Sequence, residues 1–175
     1  MIPMKEISPY DLNESPFRLI GKDLMLITAK KDGKINTMTA GWGCLGYLWR
    51  KPVCICYVRP QRYTYEFTEA AEGLSLTFFD EGYRDMLHFC GTVSGRDCDK
   101  IAEAGLTPIV DEATDIPYFE EARLTLLCKK LYIEDLKEEN FLDKSLLANY
   151  PAGDFHRAYI CEIQKVLVKT NGKED

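Results

Sequence analysis

Histidine is scarce in this chain: only His88 and His156 occur among 175 residues. So few imidazoles leave little for an acid/base relay, and they supply a zinc site poorly, so no metal is expected. GxSxG, HExxH and a Walker loop are all absent, which removes the usual sequence support for the hydrolase, metalloprotease and nucleotide-triphosphatase readings. No apolar run approaches the roughly 20 residues of a membrane-spanning helix. A basic excess is missing too. The formal net charge is −6, which argues against a nucleic-acid partner, because displacing phosphate counterions needs cations. The first residues, MIPMKEISPYD, hold Glu6 and no long apolar core, so they do not read as a secretory signal. Seven cysteines lie scattered without CxxC spacing. An odd, scattered set suits reduced thiols, and the expected location is cytoplasmic. Cys54 and Cys56 stand two apart in an extended run, so both should face one side of a strand and pack in the core.

What is present is ordinary globular material: 46% hydrophobic and 29% charged residues. The length suits one domain spanning 1–175. Pro3, Pro9 and Pro16 suggest that 1–20 is an extended arm across the body or a neighbour. LMLITA from Leu24, the turn at Gly33 and a strand from about Ile35 read as a β-hairpin. PVCICYVR reads as a central strand, with a helix from a cap at Thr64 through Ala71. LSLTFF is another strand, and EGYRDMLHFCGTV is helical up to Gly91. SGRDCDKIAEAG opens a short helix capped by Ser94 or Asp97 and stopped at Gly105. Irregular structure is expected over Thr107–Pro117, one long bent strand over Tyr118–Ile133, and a short helix capped by Asn140 running through Ala148. A closing strand follows from Asp154. The fold class is mainly β with short helices (α+β), and a closed barrel is favoured because closure removes exposed edges.

The chain is organised around Asn36–Phe67. Alternation puts Asn36, Met38 and Ala40 on one face of a strand, and Thr37, Thr39 and Gly41 on the other. The small residues here would let a flat ring approach the backbone. Trp42 could cover such a ring or fill the core. Next, Arg59 and Arg62 precede a helix start, where unpaired N–H groups and guanidinium forks favour an anion. A solvated or salt-bridged turn is the plainer alternative for these arginines. Lys100 and Arg96 are either solvated or a second basic contact to the same phosphate. With so few catalytic side chains, any enzymatic chemistry needs a cofactor to carry it.

The stretches NTMTAGWG, KPV followed by VRPQRYTYEF, and CGTVSGRDCDK resemble the flavin reductase-like family, the FMN-binding split β-barrel group that includes flavoredoxins. The resemblance runs from about Asp23 to Val166, and several ordered motifs at sensible spacing make it specific. It implies a split barrel binding FMN, with the ring against Asn36, Thr37, Met38, Thr39, Ala40 and Trp42. The phosphate would fall to Arg59, Arg62, Tyr63 and Thr64, helped by Ser94, Gly95 and Lys100. It also implies a homodimer with NADH or NADPH as co-substrate, a flavin or redox-protein acceptor, and His156 contacting the nicotinamide or flavin edge. Two activities fit: an NAD(P)H-dependent flavin reductase, or an FMN electron carrier that does not oxidise nicotinamide itself. A barrel serving as a non-redox binding module is a third reading.

Overall fold

A computed structural model describes residues 4–170. Pro3 and 171–175, the ends of the expected arm and domain, lie outside the described residues. The first strand, β1 (Met4–Ile7), is followed by helical turns that include α1 (Pro16–Arg18). Then come β2 (Met25–Lys31), β3 (Lys34–Ala40), β4 (Gly43–Leu48), β5 (Lys51–Val58) and α2 (Tyr63–Ala70). After β6 (Gly73–Phe78) lie α3 (Arg84–Thr92) and α4 (Lys100–Glu103), then β7 (Pro108–Val110), β8 (Pro117–Phe119), β9 (Leu124–Asp135) and β10 (Arg157–Lys169).

Eight strands form one antiparallel sheet in the order β3-β2-β6-β9-β10-β5-β4, with β1 also paired to β10. Strand β10 holds this sheet together. Its first half pairs with β5 and its last residues with β1, while β9 runs along its other side. Alternation builds the core. Met25, Ile27 and Ala29 of β2, Leu74, Leu76 and Phe78 of β6, and Cys54, Cys56 and Val58 of β5 all point inward, as do Leu124, Leu126 and Cys128 of β9. The paired inward placement of Cys54 and Cys56 matches the period-two reading.

The terminal strands of this order, β3 and β4, do not pair with each other. The barrel is therefore split along a seam rather than closed, which corrects the closed-barrel expectation. Gly41 and Trp42 link β3 to β4 across that seam. Outside the barrel, α3 packs on β3, and the Thr39 hydroxyl donates to Leu87 O at 2.5 Å.

Several boundaries differ from expectation. Residues 4–20 are not an extended arm throughout, because only β1 is extended and it lies on the chain's own β10. Arg62, not Thr64, occupies the α2 cap position, and no side chain caps that end. Thr64 instead accepts from the buried Asn36 amide at 2.8 Å, a partner that Asn36 needs. The α4 cap is Asp99, which accepts from Ala102 N at 3.2 Å. Residues 107–117 contain β7, which pairs with β8, so the segment is partly ordered. A turn at 120–123 divides the expected long strand into β8 and β9. The expected helix at Asn140 is two 3-10 turns, Glu138–Asn140 and Lys144–Asn149, the second capped by Asp143.

Candidate functional site

Two cavities meet at Arg62. The first, about 210 Å³, lies at the seam and is lined by Met38, Thr39, Ala40, Gly41, Trp42, Tyr57, Arg59, Arg62 and His156. The second, about 180 Å³, lies at the start of α2 against the end of α3, with Arg62, Tyr63, Thr64, Ser94 and Lys100 among its walls. Sequence positions spread over 38–156 are thereby brought together.

The second cavity is cationic. Among the described residues the Arg62 guanidinium has no hydrogen-bond or ion-pair partner, and burial followed by the neighbouring Arg59 charge lowers its pKa. Lys100 is 3% exposed. Its ammonium donates to Cys90 O at 3.1 Å and Val93 O at 3.2 Å, which leaves one N–H unspent. Burial pushes its pKa down to about 8, with Arg62 contributing in the same direction. Two half-desolvated cations side by side are unfavourable alone, and an anion between them offsets that cost. The first N–H groups of α2 lack intrahelical acceptors and add donors to the same wall. Lys100 is therefore not a solvated surface lysine.

Arg59 departs from the two-arginine grip. Its guanidinium pairs with Asp154 at 2.5 Å, donates to Asn149 O at 2.8 Å, and lies 5.0 Å from the Tyr150 ring centroid. It is committed to the 149–156 segment and borders the first cavity rather than the second. Arg96 is also engaged, pairing with Glu66 at 2.6 Å and stacking over Tyr63 at 4.7 Å.

At the seam, Trp42 is 48% exposed and its ring centre lies 5.0 Å from that of His156. It flanks the cavity mouth and does not fill the core. His156 is buried, and its Nδ1 meets the Tyr150 hydroxyl at 2.8 Å. Burial, then Arg59, push its pKa down to about 4, so the imidazole is neutral near pH 7. Thr37 is not at the site. Its hydroxyl bonds to Thr28 at 2.8 Å and Ile27 O at 3.1 Å inside the β2–β3 pair, as alternation away from Met38 requires. Asn36 and Gly95 line neither of these cavities but an adjoining one of about 470 Å³ that shares Tyr63 and Lys100, and the Asn36 amide holds Thr64 from there.

Tyr57 was missed by the sequence reading. It is half-buried in the first cavity, and its hydroxyl has no hydrogen-bond partner among the described residues. Period-two alternation from Cys56 places it on the outer face of β5, close to Arg59, and that signal could have found it. Among the described residues no cluster of His, Cys, Asp or Glu has metal-binding geometry. No helix there is long and apolar enough to cross a membrane.

A split antiparallel barrel with a cationic cavity beside its seam places this chain in a defined structural class. Residues 17–175 match the model of the flavin reductase like domain, and the chain belongs to that family. Its fold is similar to an FMN-binding domain of a flavin reductases-like enzyme from Shewanella baltica OS155, at 19% identity, TM-score 0.70, and coverage of 97% of this chain and 81% of that one. Flavoredoxin from Methanosarcina acetivorans aligns at 22% identity with TM-score 0.67, covering 98% of this chain and 82% of that one. An NADH:FAD oxidoreductase from Streptomyces globisporus C-1027 aligns at 14% identity with TM-score 0.61, covering 87% and 77%. At these identities the likeness is one of fold. No curated protein sequence matches.

Proposed function

We propose that this chain is an FMN-binding oxidoreductase, a flavin reductase that uses NADH or NADPH. The observation that carries the reading is Arg62, an unpaired, half-buried cation on the wall of both cavities. A ligand with a flat ring at one end and a phosphate at the other would give it a partner while filling both spaces. Arg62, Lys100, Ser94 and the N–H groups of Tyr63 and Thr64 would hold the phosphate. The backbone of Met38–Gly41, the Trp42 ring and the Tyr57 hydroxyl would hold the ring. When bound, FMN supplies the redox chemistry, taking a hydride from the nicotinamide and yielding electrons to a flavin or protein acceptor. His156 offers a neutral hydrogen-bonding edge at the same cavity, and Arg59 holds the 149–156 segment beside it.

The test is direct. Purified protein mixed with FMN should gain thermal stability, because a ligand selective for the native state stabilises it. The complex should lose its visible absorption when NADH or NADPH is added without oxygen. A chain that neither binds FMN nor gains stability from it is not this enzyme.

A second reading, an FMN electron carrier that does not oxidise nicotinamide, draws on the exposed aromatic surface around Tyr47, Trp49 and Tyr132, which suits docking of a redox protein. Such a carrier would keep its absorption when mixed with NADH and NADPH. The same surface supports a homodimer, and the unpaired thiols suit the reducing cytoplasm.

A further inference from the structure

Two tyrosines approach His156, and neither stood among the expected site residues. Tyr57 shares the first cavity with it, their ring centres 6.2 Å apart. Tyr150 lies outside the cavity's walls and meets Nδ1 at 2.8 Å. Both partners of that bond are 8% exposed, so water cannot easily replace either one.

The direction of the bond follows from counting hydrogens. If Nδ1 carried the proton and donated to the phenol, the Tyr150 O–H would be a buried donor with no acceptor among the described residues. Leaving such a donor unsatisfied is unfavourable, because its lost hydration goes uncompensated. If Tyr150 donates to a bare Nδ1, its hydrogen is satisfied and the remaining imidazole proton sits on Nε2. The Arg59 guanidinium 5.0 Å from the Tyr150 ring centroid strengthens that donor by drawing on its π-electrons. Because Nδ1 is taken from outside the cavity, Nε2 is the polar atom left for the cavity itself.

We propose that Tyr150 is a positioning residue that holds His156 in the Nε2–H form, so that the ring cavity presents a fixed, uncharged donor to a ligand's carbonyl oxygen or ring nitrogen. The ring stays uncharged because burial outweighs the nearby Asp154 carboxylate. Phe141 and Phe155 pack on Tyr150 with centroids 5.8 and 4.9 Å away, and Trp42 backs the imidazole, so the pair has little freedom to turn. The identity of the ligand rests on the flavin reductase reading; the tautomer does not.

With only two histidines, and His88 exposed as a reference, the proton can be located by two-bond 1H–15N correlation spectra of the labelled protein. Between pH 6 and 8 the expected spectrum shows a bare Nδ1 and a protonated Nε2 on His156. A proton on Nδ1, or an even mixture of the two forms, overturns the proposal. Tyr150→Phe keeps the ring packing and removes the hydroxyl, and it should turn the single form into a mixture. An unchanged spectrum in a folded Y150F protein removes Tyr150 from the role, and if Y150F does not fold, the wild-type spectrum alone decides. In steady-state reduction, Y150F should lower kcat about fivefold to tenfold, the worth of one misdirected hydrogen bond, with the FMN affinity within twofold. His156→Gln, whose amide can still donate, should retain more turnover than His156→Ala. A protein that shows the expected tautomer but oxidises no nicotinamide supports the positioning role and defeats only the functional reading.

Discussion

At the scale of single residues, Arg62 makes the most exposed claim. Charge-assisted hydrogen bonds to a phosphate contribute about 1.5–3 kcal/mol each, so Arg62→Ala should weaken FMN by roughly 10- to 100-fold. Riboflavin, lacking the phosphate, should lose far less, and fluorescence titration of both ligands checks this. Equal losses would place Arg62 at the ring alone. Lys100 adds a pH signature. Its pKa is lowered to about 8 in the free protein, so the ammonium that an anion needs is lost as pH rises through that value. The phosphate of a monoester gains its second charge near pH 6. FMN affinity should therefore be greatest between about pH 6 and 8 and fall above it, whereas riboflavin stays flat. In Lys100→Met the alkaline fall should disappear. The arginine pair, the glycine-flanked strand and the basic turn were legible as local sequence. The commitment of Arg59 to Asp154 was not legible, because the partner stands 95 residues further along, and local spacing carries no trace of such a contact.

At the scale of elements, the two cavities depend on how β3, α2 and the 94–96 turn meet. A Cβ added to Gly95 would lie 2.2 Å from Asn36 Oδ1 and 3.1 Å from Tyr63 Cδ1. Asn36 is 4% exposed and holds Thr64, so it has nowhere to move without giving up that bond. Gly95→Ala should therefore destabilise the fold by about 1–3 kcal/mol, read as a lower urea midpoint, and should loosen FMN as Ser94 and Thr64 move apart. An unchanged midpoint would mean that the junction yields freely. The elements themselves were legible wherever local chemistry decides them. The β2–β3 turn has Asp32 and Gly33 at φ 49° and 75°, the left-handed pair that a tight hairpin demands. They were not legible where tertiary partners override composition. The β7–β8 ribbon sits in a Pro- and Asp-rich stretch that reads as loop. It is held from afar by Ser75 donating to Pro117 O at 2.6 Å and by Lys165 pairing with Asp111 at 2.8 Å. Likewise the break before β9 is set by Glu121, whose carboxylate accepts from Thr107 N at 3.0 Å.

At the scale of the whole molecule, one face looks unfinished. The β4–β5 hairpin turns through Trp49 and Arg50, both left-handed, with φ 51° and 60°. For side chains other than glycine this conformation costs about 1–2 kcal/mol per residue. The two-residue hairpin demands that left-handed pair, and Trp49 at its tip is 53% exposed, with its ring centre 6.2 Å from that of Tyr132. Tyr47 on the same hairpin is 63% exposed and meets Tyr10 at 6.4 Å. Scattered exposed apolar residues are normal, but two exposed aromatic pairs on one hairpin offer anchors for a partner. A second copy is the occupant that the homodimer reading assigns to it, and stable interfaces of that kind bury about 1,200–2,000 Å². Truncating an aromatic anchor at the centre of such an interface typically costs 2 kcal/mol or more, and a buried carboxylate would add its own desolvation penalty. Trp49→Asp should therefore convert a dimer into monomers in sedimentation velocity at micromolar concentration, while the apo monomer stays folded because Trp49 supports no barrel-core contact. A wild-type chain that sediments as a monomer at the same concentration would instead leave this face to a different protein, as the electron-carrier reading requires.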